Sequence, residues 1–204
     1  MDITLFPTKS NLMLAKNSLR LSKQGYYLLD KKRNVLIREM MELIERAKTV
    51  QASIDETFSN AYRVLASANI MMGSDNVDNI SHSVPVDNSL NLTVRSVMGV
   101  EIPHLTAESE SGMCPYGIFR TSSALDEAYT AFEKVKTLTV ELAEVESAVY
   151  RLAVSIKKTQ KRANALKNIM IPKYEQITKD IQSALEEKER EDFSRLKVIK
   201  KMKY

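Results

Sequence analysis

Apolar residues recur at every seventh position over two long stretches of this chain, one toward each end, and this periodicity restricts the fold more than any other feature. From Leu12 the first series runs through Leu19, Tyr26, Arg33, Met40, Ala47, Ile54, Ala61 and Ala68, with Arg33 the charged exception. A companion series three residues on takes in Ala15, Ser22, Leu29, Leu36, Leu43, Val50, Thr57 and Val64. The second stretch carries Ala128, Val135, Leu142, Val149, Ile156, Ala163, Met170, Ile177 and Ala184, accompanied by Leu138, Val145, Leu152 and Leu166. An apolar period of about 3.5 residues keeps one stripe of a helix turned toward a partner helix, which is the seam of a coiled coil. Core-facing helices of an ordinary bundle are the alternative, but these usually stop short of ~25 residues.

The expected fold is therefore mainly α, a long antiparallel two-helix coiled coil with a small insert between its arms. Residues 1–72 form the N-terminal helix, 73–117 an insert with a short β-hairpin and loops, and 118–204 the C-terminal helix. The insert holds four of the five glycines and three of the five prolines, so no long helix crosses it. Within it, Leu90 to Val97 alternates apolar and polar residues as a half-buried strand does; after Met98-Gly99, Val100-Glu101-Ile102 pairs back and Pro103 ends the ladder. Thr8 is placed to cap the first helix, and Ser123 with Asp126 reads as a capping box for the second. Gly25 interrupts the first helix and suggests the close approach of a neighbour, a tolerated surface glycine being the other reading. Pro172 removes the hydrogen bond to the carbonyl of Asn168, which predicts a bend or local irregularity near residues 168–172 rather than a stop.

A rod of ~90 Å, at 1.5 Å per residue, is too long for the insert to span in return, so the helices lie antiparallel with the insert near one end. Pairing residue 70 with about residue 120 makes partner numbers add to about 190. The chain beyond about residue 180 then overhangs as a single helix.

Charge is unevenly spread along this chain. Residues 1–72 carry 11 basic and 7 acidic side chains, residues 73–117 carry 1 and 6, and residues 118–204 carry 18 and 13. Between Glu146 and Glu175 there is no acid, and the pairing rule sets that interval beside the basic first part of the N-terminal helix, which holds Lys9, Lys16 and Arg20. Like-signed helices packed together repel, so such a collar points to an acidic partner surface; a merely solvated basic face is the alternative. The segment from Glu186 to Asp192 reads as an exposed helix with i,i+4 pairs such as Glu186 with Arg190.

Nothing in the sequence suggests catalysis or a cofactor. There is no phosphate-binding glycine loop ending in Lys-Ser or Lys-Thr and no nucleophile elbow. His82, His104 and Cys114 lack the short spacing of a zinc site. A single cysteine fits a reducing compartment, and no apolar run approaches the ~20 residues of a membrane span. The expectation is a cytoplasmic protein without direct membrane insertion. The basic collar could track phosphates, but its tyrosines mostly occupy or flank the seam and supply no obvious stacking platform, so no nucleic acid is expected as a partner, a nucleic-acid-binding arm being the minor alternative.

Specific residues go further than the heptads. At the N-terminal end these are Pro7-Thr8-Lys9, Leu12, Leu19, Gly25, Leu28-Leu29 and Lys32-Arg33-Asn34. At the C-terminal end they are Lys161-Arg162-Ala163-Asn164-Ala165-Leu166, Ile171-Pro172, Glu189-Arg190-Glu191-Asp192-Phe193 and Arg195-Leu196-Lys197. In these the chain resembles the D subunit of the V-type (vacuolar and archaeal-type) rotary ATPases, over both helices in matching order. Asp30 departs from the basic residue of the family pattern, Ala163 from its valine, and the insert matches only loosely.

The resemblance implies a non-catalytic central-stalk rotor component. Its terminal end would sit inside the ring of catalytic A and B subunits, and its insert-proximal part would bind the small F subunit and couple to the membrane rotor through a funnel-shaped stalk subunit. It would lie peripheral to the membrane in the soluble sector. ATP hydrolysis would drive sodium ions or protons across the membrane, or ion flow would drive ATP synthesis. Under this reading Lys9, Lys16, Arg20, Lys161, Arg162 and Asn164 face the catalytic ring, and Leu92, Val94, Val97 and Ile102 face the F subunit or the stalk. A free-standing coiled-coil adaptor or chaperone-like hairpin is the rival reading.

Overall fold

A computed structural model describes residues 6–85, 90–107, 115–117, 119 and 121–202. Helix α1 spans Lys9–Met72 and a short α2 spans Ser74–Ser81. The hairpin strands are β1, Leu90–Val97, and β2, Val100–Ala107. Helix α3, Ser123–Ala165, passes through a π-helical turn, Leu166–Met170, into α4, Ile171–Met202. The chain divides into a terminal unit, Met1–Val35 with Ile156–Tyr204, and a central unit, Leu36–Ser155.

In the terminal unit α1 runs antiparallel to the C-terminal helical segment. Lys9 meets Glu189 at 3.0 Å and Lys23 meets Glu175 at 2.7 Å. These pairs lie within roughly two turns of the register expected from sequence, at 3.6 residues per turn. Pairing thus reaches Glu189, so any overhang begins about ten residues later than the 180 expected from a single fixed register. The Thr8 cap is formed, its Oγ1 accepting from the backbone N–H of Asn11 at 3.2 Å. The buried residues of this unit are small or isolated: Ala15, Thr159, Ala163 and Ile181.

The π turn is the irregularity that Pro172 demands. The N–H of Ile171 bonds to the carbonyl of Leu166, five residues back. Widening the helix by one residue just before a ring that would clash with a carbonyl four residues behind it relieves that clash. The extra residue also moves the seam. Leu166 is followed inward by Tyr174 and Ile181, while Lys173 and Asp180, which strict heptads would place there, are exposed. The apolar stripe continues through the proline, with a one-residue slip.

In the central unit α1 and α3 are also antiparallel. The Arg46 guanidinium donates from Nε and from a terminal nitrogen to Glu141 Oε1, at 2.9 and 2.6 Å. Tyr62 sets its ring edge-on to Phe132 at 5.6 Å and stacks with Phe58 at 6.0 Å. Leu36, Val145 and Leu152 are fully buried here, with Val50, Ile54, Ala61, Ala68, Ala128 and Val135.

Beyond α1, Gly73 adopts a positive φ of 84° and redirects the chain into α2, whose Val77 packs with Tyr116 and Leu125. Sequence reasoning missed α2, although Val77 and Ile80 stand one helical turn apart behind Gly73. The expected capping box does not form as drawn. Helix α3 begins at Ser123 itself, and the Asp126 carboxylate accepts from the Tyr116 hydroxyl at 2.7 Å.

The hairpin has the expected turn. Met98 and Gly99 take φ of 51° and 76°, the two positive values a type I′ turn needs. Pro103, however, does not end the ladder, which continues to Leu90 opposite Ala107. Counting from the closing pair Val97–Val100, Pro103 opposite Val94 falls on a non-hydrogen-bonded pair. There the backbone nitrogen faces away from β1, and the missing proton costs the ladder nothing.

Candidate functional site

The residues expected to face a catalytic ring all lie on the exterior of the terminal unit. Lys9, Lys16 and Arg20 are exposed on α1, and Lys161, Arg162 and Asn164 are exposed near the end of α3. They do not form one cluster. A Cβ on Gly25 would come 3.5 Å from Leu166, and Lys23 pairs with Glu175, so Lys161 sits several residues past Gly25 toward Lys31 and Lys32. Along α1 that separates it from Lys9 by roughly 30 Å, at 1.5 Å per residue.

Nor are these cations equivalent. Lys9 is already paired with Glu189, whereas Lys16, Arg20, Lys157, Lys158, Lys161 and Arg162 have no ion-pair partner among the described residues. The Lys167 ammonium lies 5.9 Å from the Tyr26 ring centre and Lys31 lies 5.4 Å from that of Tyr27, which directs both over aromatic faces. Arg33, the charged residue in the α1 seam, is half-buried and held by Asp30 at 2.7 Å. Asp30 thus neutralises a seam cation inside an otherwise basic stretch. Farther out, Arg195 meets Glu191 at 3.5 Å and Asp192 at 4.0 Å, in place of the expected pair of Glu186 with Arg190.

The second set of candidates belongs to the hairpin. Leu92 and Val94 are 65% and 59% exposed, Val97 is half-buried and Ile102, on β2, is buried, so the hairpin leaves Leu92 and Val94 exposed and withholds Ile102. The hairpin is fastened to α3 by its β2 edge. Glu144 accepts from the backbone N–H of Leu105 at 3.0 Å, and His104 Nδ1 lies 3.0 Å from its other oxygen. Arg151 donates to the carbonyl of Glu101 at 3.3 Å. An open groove lined by Leu92, Pro103, Leu105, Ser147, Tyr150 and Arg151 follows this junction. Sequence reasoning passes over Glu144 and counts Arg151 only among the cations between Glu146 and Glu175, because a carboxylate and a guanidinium one heptad apart look like ordinary solvent-facing residues until a strand edge lies against them.

His82 and His104 form no group of metal-binding side chains among the described residues, and Cys114 lies outside those residues. No described helix is long and apolar enough to cross a membrane.

A family model for the ATP synthase D subunit matches residues 11–201. This chain belongs to that family. It is 43% identical to the V-type ATP synthase D subunit of Thermotoga neapolitana, over 97% of this chain and 98% of the relative. It is 37% identical to the A-type ATP synthase D subunit of Methanopyrus kandleri, over 95% of this chain and 84% of that one. For the A-type D subunit of Thermococcus kodakarensis the identity is 36%, over 95% and 92%. The match spans the hairpin and nearly all of the long helices, so every candidate residue except Lys9 lies within it.

Proposed function

We propose that this D subunit is the non-catalytic central shaft of a V/A-type rotary ATPase, carrying torque between the ring of A and B subunits and the membrane ion rotor. The observation that carries the reading is the contrast between unpaired cations on the terminal unit and a docked hairpin with an outward apolar strand on the central unit. A shaft has to turn inside one partner while staying fixed to others. Long exposed lysines and arginines can exchange acidic partners as the shaft turns, because each surface ion pair is worth only ~0.2–1 kcal/mol and none traps a single orientation. An apolar strand edge is suited to the opposite task, a lasting contact with the F subunit or the funnel-shaped stalk subunit. An antiparallel seam of interdigitated side chains resists twisting better than one helix does. The shaft then needs no cofactor and contributes no reacting group.

Replacing Lys161 and Arg162 together by Glu tests this. The expected result in a pull-down is weaker binding to the A–B ring with binding of the F subunit unchanged; lost F binding with ring binding retained overturns the assignment of surfaces.

A further inference from the structure

The two edges of the hairpin are treated differently. In an antiparallel ladder, residues at non-hydrogen-bonded pairs turn their backbone N–H and C=O away from the partner strand. On β2 these are Glu101, Pro103 and Leu105. The Glu101 carbonyl accepts from Arg151, Pro103 has no N–H to offer, and the Leu105 N–H is taken by Glu144. That edge is closed by α3. On β1 the corresponding residues are Leu92, Val94 and Ser96, and none has a hydrogen-bond partner on its outward side among the described residues. Nor does the strand carry the usual protection of an open edge, since Leu90–Val97 contains no proline and a single charge, Arg95.

Side chains make the same edge attractive. Leu90, Leu92 and Val94 share one face of β1 and are 48%, 65% and 59% exposed. Beside them the open groove leads to Tyr150, itself 72% exposed, and Val154 continues the apolar surface one turn along α3. A strand laid along β1 would pair with three outward-facing backbone positions and set alternate apolar side chains beside Leu92 and Tyr150.

We propose that β1 accepts a strand from another component of the ATPase, extending the hairpin to three strands. The donor is an extended segment with apolar residues at alternate positions and basic flanks. Charge selects that donor, because the central unit carries 9 basic and 17 acidic side chains, a net of −8. The same charge opposes pairing with a second copy of this chain edge to edge. This deepens the shaft reading and rests on it, replacing a general partner surface on the hairpin with backbone pairing at one edge.

Hydrogen exchange across residues 90–97 provides the test, on the full chain alone and after mixing separately with the purified F subunit and with the A–B ring. Pairing predicts that the amides of Leu92, Val94 and Ser96 exchange quickly in the free chain and slow by about tenfold or more with one of the two probes. Val94→Pro deletes an outward N–H while leaving the β1–β2 ladder its bonds, and is expected to weaken that binding about tenfold or more, whereas Val94→Thr keeps it within about threefold. If the chain binds the probes but neither slows exchange at this edge, the strand pairing is overturned and the shaft reading is left intact. Failure to bind both probes counts against the shaft reading itself. Slowing that grows with the concentration of the free chain marks self-pairing and also overturns the proposal. The measurement on the unmodified chain stands even if Val94→Pro does not fold.

Discussion

The terminal and central units share helix α1, yet they close the space between helices with different side chains. In the terminal unit the buried positions are Ala15, Thr159, Ala163 and Ile181, with Gly25 facing Leu166. Large apolar residues there point outward in a heptad of their own, Leu14, Leu21 and Leu28, which are 52%, 64% and 66% exposed. The central unit instead buries Leu36, Val145 and Leu152 completely and adds a cluster of Val77, Tyr116 and Leu125. Charge divides along the same line, since the terminal unit carries 21 basic and 9 acidic side chains, a net of +12, against −8 for the central unit. Burial of large side chains is concentrated in the central unit, while the terminal unit leaves many of its larger apolar and cationic groups exposed.

The sharpest way to break that contrast is to remove one buried side chain from each unit. Leu152→Ala in the central unit is expected to cost about 3 kcal/mol, within the range for a fully buried leucine that leaves a cavity. Ile181→Ala, in a seam of small residues, is expected to cost clearly less, because the neighbouring helix can close part of the gap. Urea denaturation of both variants measures the difference. Equal losses would mean that the terminal seam is packed as firmly as the central one.

A smaller effect concerns the one charged residue in the α1 seam. Asp30→Ala leaves the half-buried Arg33 without its carboxylate, and Arg33 Nε already lacks a hydrogen-bond partner among the described residues. The expected loss is about 1 kcal/mol, near the top of the range for partly exposed pairs, and it should shrink in high salt. A salt-independent loss would trace the effect to packing of the Asp30 stem instead of its charge.

The helices could be read from the sequence because a heptad is a local pattern repeated many times, so one exception such as Arg33 does not hide it. Thr8 and the Met98-Gly99 turn were legible for a related reason, each being set by the backbone of a few neighbouring residues. What sequence reading missed depends on elements far apart in the chain. Pro103 looked like a ladder end because its tolerance follows from the phase of the hydrogen-bonded pairs, which only the register fixes. Asp126 looked like a capping residue until Tyr116 was placed beside it. Pro172 announced an irregularity but not its form, and the one-residue slip to Tyr174 and Ile181 follows from the π turn. The residues matched to the D-subunit family marked cations on the terminal unit, yet their spread along the helices and the pairing of Lys9 with Glu189 depend on the antiparallel register.

An effect of similar size but opposite sign bears most directly on how tightly the terminal seam is closed. A Cβ added at Gly25 would meet Leu166 Cδ1 at 3.5 Å, an ordinary contact, and Gly25 lies within the α1 helix. Gly25→Ala therefore removes a residue that costs a helix interior about 1 kcal/mol relative to alanine, without forcing a neighbour aside. The melting temperature is expected to rise by about 2–4 °C, the shift that ~1 kcal/mol produces in a chain of this size. At Gly99, whose φ is +76°, the same substitution should lower it, because the I′ turn requires a conformation that alanine resists. A fall at both positions would show that Leu166, held in the π turn, cannot yield even to a methyl group. Gly25 would then be a close-approach residue that sets the spacing of the terminal helices.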